Sequence, residues 1–222
     1  MNVLEWITVS LGEVARRLRR EWRCFRQRRA LKALDRAPSR KIIIGSSGTG
    51  SPGWVSTDRE TLDLLHANTW RSLLRPASLD AILAEHVWEH LGPQEAVAAA
   101  TTCHAFLAPG GYLRVAVPDG LHPDPAYIES VRPGGTGGGA DDHKVLYTYR
   151  TFRNVFEQVG FDVVLHEYFD ERGHFHCHDW NPANGMIRRS KRFDPRNTAD
   201  RLTYPSIVLD AVKSGAAGVR GR

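Results

Sequence analysis

Between residues 41 and 118 the chain repeats short apolar runs with little alternation: "KIIIG" at 41–45, "GWVST" at 53–57, "LDAILA" at 79–84 and "GYLRVAVP" at 111–118. A strand solvated on one face alternates apolar and polar residues, so runs like these call for strands covered on both faces. Helical segments separate and follow them. "PQEAVAAATTCHAFLA", 93–108, reads as a helix stopped by "APGG", and "YRTFRNVFEQVG" as a helix stopped by glycine before the strand "FDVVLHEYF". "YPSIVLDAVK", 204–213, makes a last strand. The alternation predicts an α/β fold with helices on both faces of the sheet.

In such a sheet the ligand crevice lies beyond the carboxyl ends of the strands, where the strand order reverses. The residues expected there are the loop "GSSGTGSPG", Gly45 to Gly53, then Asp58, the vicinity of Asp63 after a further strand, Glu85 with His86, and Asp119. Glycines let main-chain NH groups approach a ligand, and an acid at the next strand end suits a ribose diol. Gly45 and Asp58 are only 13 positions apart, whereas a dinucleotide fingerprint needs about twenty, with a full helix between. Pro52 also cuts that helix short.

"KIIIGSSGTGSPGWVSTD", "LDAILAEHVWEHL", "FLAPGGYLRVAVPD" and "HKVLYTYRTFRNVFEQVGF" together resemble successive motifs of class I S-adenosylmethionine-dependent methyltransferases. The resemblance spans about residues 41–168, with 204–213 fitting the final strand, and is greatest to a bacterial, type 11-like subgroup with a shortened glycine loop. It implies a Rossmann-like, largely parallel sheet with an antiparallel final strand, and S-adenosyl-L-methionine as cofactor. By resemblance, Gly45, Ser46 and Gly48 pass the methionine part, Asp58 holds the ribose, Asp63 lies near the adenine, and Glu85 and His86 border the sulfonium. Glu89 and His90 are expected on the helix that follows. The acid usual within the first strand is replaced by Ile43, and Ser47 stands where a glycine is common.

Transfer to a hydroxyl needs a base to take its proton, and His86, Asp119 and His143 are the candidates. His143 follows the glycine-rich "RPGGTGGGA", a segment suited to a lid or to an ordinary flexible loop. The implied reaction is direct methyl transfer to a small-molecule or glycan-like acceptor. Two other readings stay open: a methyltransferase-like domain that binds a partner without turnover, and an RNA methyltransferase.

Ahead of this domain, Leu4, Ile7, Leu11, Val14, Leu18, Trp22 and Phe25 recur at helical spacing. Arg16, Arg17, Arg19, Arg20, Arg23, Arg26, Arg28 and Arg29 crowd the other faces. This basic amphipathic helix accounts for much of a net charge of +5. It suits docking on the body or on a second copy first, an anionic membrane surface next, and nucleic acid last. The expected organisation is therefore helix and linker at 1–40, a methyltransferase-like domain at 41–213 with a cap at 169–203, and a disordered tail at 214–222.

Three cysteines far apart, with no CxxC pair, point away from a disulfide framework and toward a reducing, cytoplasmic setting, peripheral to the membrane if the helix meets lipid. Two features of the cap stand out. "HFHCHDW", 174–180, resembles a metal set, but on a strand the outer histidines lie about 13 Å apart at roughly 3.3 Å per residue, so no metal ligands are assigned. Arg188, Arg189, Lys191, Arg192 and Arg196 suit either an anionic acceptor or a solvated basic surface.

Overall fold

The computed structural model describes residues 3–198 and 200–215, with side chains from residue 12 onward. The strands are β1 (Lys41–Ile44), β2 (Val55–Ser56), β3 (Leu79–Glu85), β4 (Leu107–Pro118), β5 (Phe161–Phe169), β6 (Phe175–Cys177) and β7 (Ser206–Lys213). They form one sheet in the order β2-β1-β3-β4-β7-β5-β6. β1 to β4 run parallel, whereas β7 enters antiparallel between β4 and β5, and β6 adds an antiparallel edge to β5. This is a Rossmann-like sheet. β1 lies between β2 and β3, so the strand order reverses there and opens a crevice at its carboxyl end.

Period-two alternation sorts each strand between two cores. Ile42, Ile44, Ile82, Ala84, Val115 and Leu209 face one side. There α3 (Pro93–Phe106) packs its small residues Ala96, Ala99 and Ala100 close to the sheet, and α5 (Tyr149–Glu157) contributes Phe152 and Phe156. Ile43, Leu83, Ala116 and Val208 face the other side, against Ile187, Trp54 and Trp180.

Helices were expected on both faces, but no helical residue joins this second core. Its cover is irregular chain from the 169–203 segment, where Pro182 and Gly185 break helical continuity. Buried Arg114 ties the cover down, donating to Asp210 at 2.7 and 2.8 Å and to the carbonyls of Asn181 and Gly185 at 3.0 and 2.9 Å. Glu167 fastens the same segment by accepting from Lys191 N and Trp180 Nε1 at 2.7 and 2.9 Å.

Two further expectations change. No strand forms near Asp63; residues 57–66 turn instead, then enter the short helix α2 (Ala67–Arg71), because Trp70 sinks fully into the core and donates to Asp63 O at 2.9 Å. "APGG" stops α3 but already belongs to β4, as a bulge in the ladder where a Cβ on Gly111 would meet Leu79 O at 2.9 Å.

Helix α1 (Val3–Ala33) ends in a 3-10 turn, Leu34–Arg36, just ahead of Pro38. Among the described side chains its C-terminal part docks on the body: Leu31 and Leu34 are buried, while Val14, Leu18, Trp22 and Phe25 are each more than half exposed. The short helix α4 (Pro125–Val131) completes the elements, capped by Asp124. The tail at 216–222 lies outside the described residues. No helix among the described residues is long and apolar enough to cross a membrane, and Cys24, Cys103 and Cys177 are unpaired.

Candidate active site at the switch point

The loop after β1 needs its glycines for stereochemical reasons. Gly45 and Gly48 have φ of +62° and +87°, and a Cβ on Gly45 would lie 2.7 Å from Val87 Cγ2. Ser47 accepts a φ of +46° between them. The loop divides the crevice. On one side is a polar cleft of about 330 Å³, walled by Ser46, Glu85, His86, Glu89, His143 and Arg189 among others. On the other is a cleft of about 390 Å³ with an apolar wall, Leu62, Leu64, Leu65, Val87 and Leu91, and Asp63 beside it. Gly45, Ser47, His86 and His90 border both.

His86 stands at the junction. Its backbone is left-handed, φ +54°, an unfavourable conformation for a residue with a Cβ, and is held by a bond from its NH to Ala116 O at 2.8 Å. The ring is fixed at both nitrogens: Nε2 lies 2.9 Å from Ser206 Oγ and Nδ1 lies 3.0 Å from Glu89 Oε1.

This left-handed turn also reorders the acids. Glu85, expected beside a sulfonium, spends both oxygens on the cap, accepting from Arg189 N at 2.6 Å and Arg188 N at 3.1 Å. Glu89, expected on a following helix, instead sits in the 3-10 turn Trp88–His90 and is buried against the polar cleft. Burial opposes ionisation of Glu89, yet the His86 imidazole beside it outweighs burial and holds the carboxyl below its ordinary range.

Of the other expected site residues, Ser46 and His143 line the polar cleft and Asp63 the apolar one, whereas Gly48 only turns the loop. Asp63 accepts from Leu65 N at 2.9 Å. Burial raises its pKa, but that bond, with His66 and Arg59, outweighs the effect and keeps the carboxyl below its usual range.

Asp58 and Asp119 stand on neither wall. Asp58 is buried under α1: Oδ1 accepts from Ser46 Oγ and Ser47 N at 3.0 and 2.9 Å, and Oδ2 from Gln27 Nε2 at 2.9 Å, with Arg23 Nε 3.2 Å away. Asp119 is fully buried, and its two oxygens accept from Leu121 N and Phe169 N at 2.9 and 2.7 Å. Burial pushes its pKa up to about 6 against those two bonds. Its geometry makes it a brace between the β4 and β5 ends and not a base beside the cleft.

Two histidines of the cap turn toward one acid, Asp170. His176 stacks on Tyr168 and places Nε2 2.8 Å from Asp170 Oδ2, while His174 Nδ1 lies 3.8 Å from the same oxygen. Two of the cap's basic residues and one residue that carried no signal complete the site. Arg188 and Arg189 reach the polar cleft from the cap and Tyr204 from just beyond it, and Arg188 Nη2 bonds Gly50 O at 2.7 Å, closing cap on loop.

No family model matches the sequence, and neither does any curated protein. Solved structures similar to this chain include a SAM-dependent methyltransferase from Archaeoglobus fulgidus, with 16% identity, 84% of this chain and 94% of that one covered, and a TM-score of 0.48. One from Mesorhizobium loti has 14% identity, 82% and 95% coverage and a TM-score of 0.47. A possible histamine N-methyltransferase from Thermotoga maritima has 14% identity, 90% and 97% coverage and a TM-score of 0.47. The fold assignment here rests on the strand order.

Proposed function

We propose that the protein is an S-adenosyl-L-methionine-dependent methyltransferase acting on a small-molecule or glycan-like hydroxyl. The observation that supports this most is the two-part crevice at the switch point, with a leucine-rich wall beside Asp63 on one side of the glycine loop and a mostly polar wall on the other. A flat heterocycle suits the leucine-lined half, with Asp63 as acceptor for an exocyclic amine. Ser46 and the backbone of the Gly45–Ser47 turn suit the amino-acid half, and Arg189 its carboxylate. When bound, the cofactor supplies an electrophilic methyl group. His86, fixed between Ser206 and Glu89, is the side chain placed to take a proton at the junction of the two halves. In the present geometry Asp58 does not contribute to this pocket, its carboxylate being held by α1 and the loop.

Calorimetric titration with S-adenosylmethionine and S-adenosylhomocysteine tests the reading. Saturable one-to-one binding is expected, weakened about tenfold, or about 1.4 kcal/mol, by Asp63→Ala. The absence of heat from either compound with folded wild-type protein would sink it.

The exposed half of α1 supports a second contact, with an anionic membrane surface. Trp22 and Phe25 stack at 5.6 Å on an apolar stripe that nothing covers among the described residues, and arginines flank it. Burying that stripe while the arginines meet anionic headgroups, each worth about 1 kcal/mol near the surface, suits an interfacial helix. Cosedimentation with phosphatidylserine-containing vesicles, absent with phosphatidylcholine alone and lost in Trp22→Ser/Phe25→Ser, is the expected result. Equal partitioning of wild type and variant would count against it.

A further inference from the structure

The polar cleft contains a feature that methyl transfer does not account for. Glu89 is 1% exposed, yet neither carboxyl oxygen has an aligned hydrogen-bond donor; His86 Nδ1 stands 3.0 Å away without that alignment. A buried carboxyl group with no hydrogen-bond partner is costly to keep unless a cation or donor meets it.

Two imidazoles converge on the same point. Glu89, His90 and His143 each offer a ligand atom, and the three atoms lie within 4.8 Å of one another. His90 is the neighbour of Glu89 in the 3-10 turn, and His143 arrives from the far side of the cleft, after the glycine-rich loop. The His143 ring carries an outer contact of the kind that orients metal-binding histidines. His143 Nδ1 lies 2.8 Å from Val131 O, which fixes the proton on Nδ1 and leaves the Nε2 lone pair free. Asp142 Oδ1 lies 2.6 Å from His90 Nδ1 without hydrogen-bond alignment.

We propose that Glu89, His90 and His143 form a binding site for a divalent first-row transition ion in the polar cleft. Two imidazoles and one carboxylate suit zinc, iron or cobalt better than the hard ions magnesium and calcium, which prefer all-oxygen shells. At a tetrahedral zinc, ligand atoms are about 3.3 Å apart for bonds near 2.0 Å, so the three groups close by up to about 1.5 Å on binding. All three stand on the cleft wall, which leaves the remaining positions of the ion open to water or to an acceptor oxygen. The site itself does not depend on the methyl-transfer reading. Its use in holding an acceptor hydroxyl rests on that reading.

The test uses full-length protein freed of metal by chelator and titrated with zinc by calorimetry, and with cobalt by visible absorption. One-to-one binding is expected, with cobalt d–d bands showing nitrogen and oxygen ligation. Glu89→Gln and His143→Ala should each weaken it at least about tenfold, as loss of a ligand or its support does, while His176→Ala, in the cap, leaves it unchanged. His143 is only half-buried, so its variant provides a folded control, checked by circular dichroism, in case Glu89→Gln loses stability. Absence of saturable binding in folded protein, or binding that survives His143→Ala or disappears with His176→Ala, overturns the site. So does a Glu89→Gln variant that loses S-adenosylhomocysteine affinity in a protein that takes no metal, since Glu89 then serves the cofactor's cation. Failure of the methyl-transfer reading is separable, as metal binding without cofactor binding leaves the ion site standing alone.

Discussion

Replacing Arg114 with alanine is expected to cost about 3–5 kcal/mol, the range for breaking a buried ion pair from one side. For a chain of this length that lowers the melting temperature by roughly 10 °C. Arg114 is 3% exposed, and its guanidinium makes four hydrogen bonds in two directions, a bidentate pair to Asp210 on β7 and single bonds to the carbonyls of Asn181 and Gly185 in the cap. It also lies 5.0 Å over the Trp180 ring. Alanine leaves the Gly185 carbonyl without a donor, the Asn181 carbonyl with only Asn184 N, 3.0 Å away, and Asp210 with only His166 Nε2, 3.0 Å away. The cap then has less to hold Ile187 and Trp180 on the sheet. Lysine restores charge but not the fork, so Arg114→Lys should recover less than half the loss. The pair Arg114→Met/Asp210→Leu should cost less than Arg114→Ala alone, because no charge is left buried without a partner. Urea denaturation of the three variants measures this. A loss below about 1 kcal/mol for alanine would mean that the cap is held by its other anchors, Glu85 and Glu167.

The strands were legible because burial on both faces is written into composition: β1, β3 and β4 have almost no polar positions to misread. The loop after β1 was legible for a related reason, since left-handed backbone at Gly45 and Gly48 restricts which residues fit. What escaped were features set by partners distant in sequence. Glu85 and Glu89 look alike in "EHVWEH" and both border the polar cleft, but which one is spent on the cap depends on distant backbone NH groups and on the left-handed turn at His86, a conformation no local pattern advertises for histidine. Helices were expected on both faces because α/β alternation usually supplies them, but Arg114 in the middle of an apolar strand was the sign that one face met backbone carbonyls instead. Asp119 follows a strand as a catalytic acid would, and only the tertiary structure shows its oxygens spent on Leu121 and Phe169.

Asp58 is the case where position was read correctly and partners were not, and its removal should have an effect nearly as large as that of Arg114. The carboxylate collects donors from two places: Ser46 and Ser47 in the loop, and Gln27 and Arg23 on α1. Gln27 also returns a carbonyl oxygen to Thr61 Oγ1 at 2.6 Å, with Asp58 N 3.3 Å away. Hydrogen bonds to a charged group contribute about 1.5–3 kcal/mol each, and those from the half-exposed Arg23 less. Asp58→Ala is therefore expected to cost about 3–4 kcal/mol and to raise amide exchange both in the glycine loop and in the end of α1. Gln27→Ala removes the helix side alone and should cost about 1–2 kcal/mol, with faster exchange in α1 and the loop little changed. A residue free to bind ribose would behave otherwise, since its loss would weaken S-adenosylhomocysteine without loosening the helix. Hydrogen exchange in the two variants separates these cases. Unchanged protection of residues 23–33 in Asp58→Ala would show that Leu31 and Leu34 hold the helix by themselves.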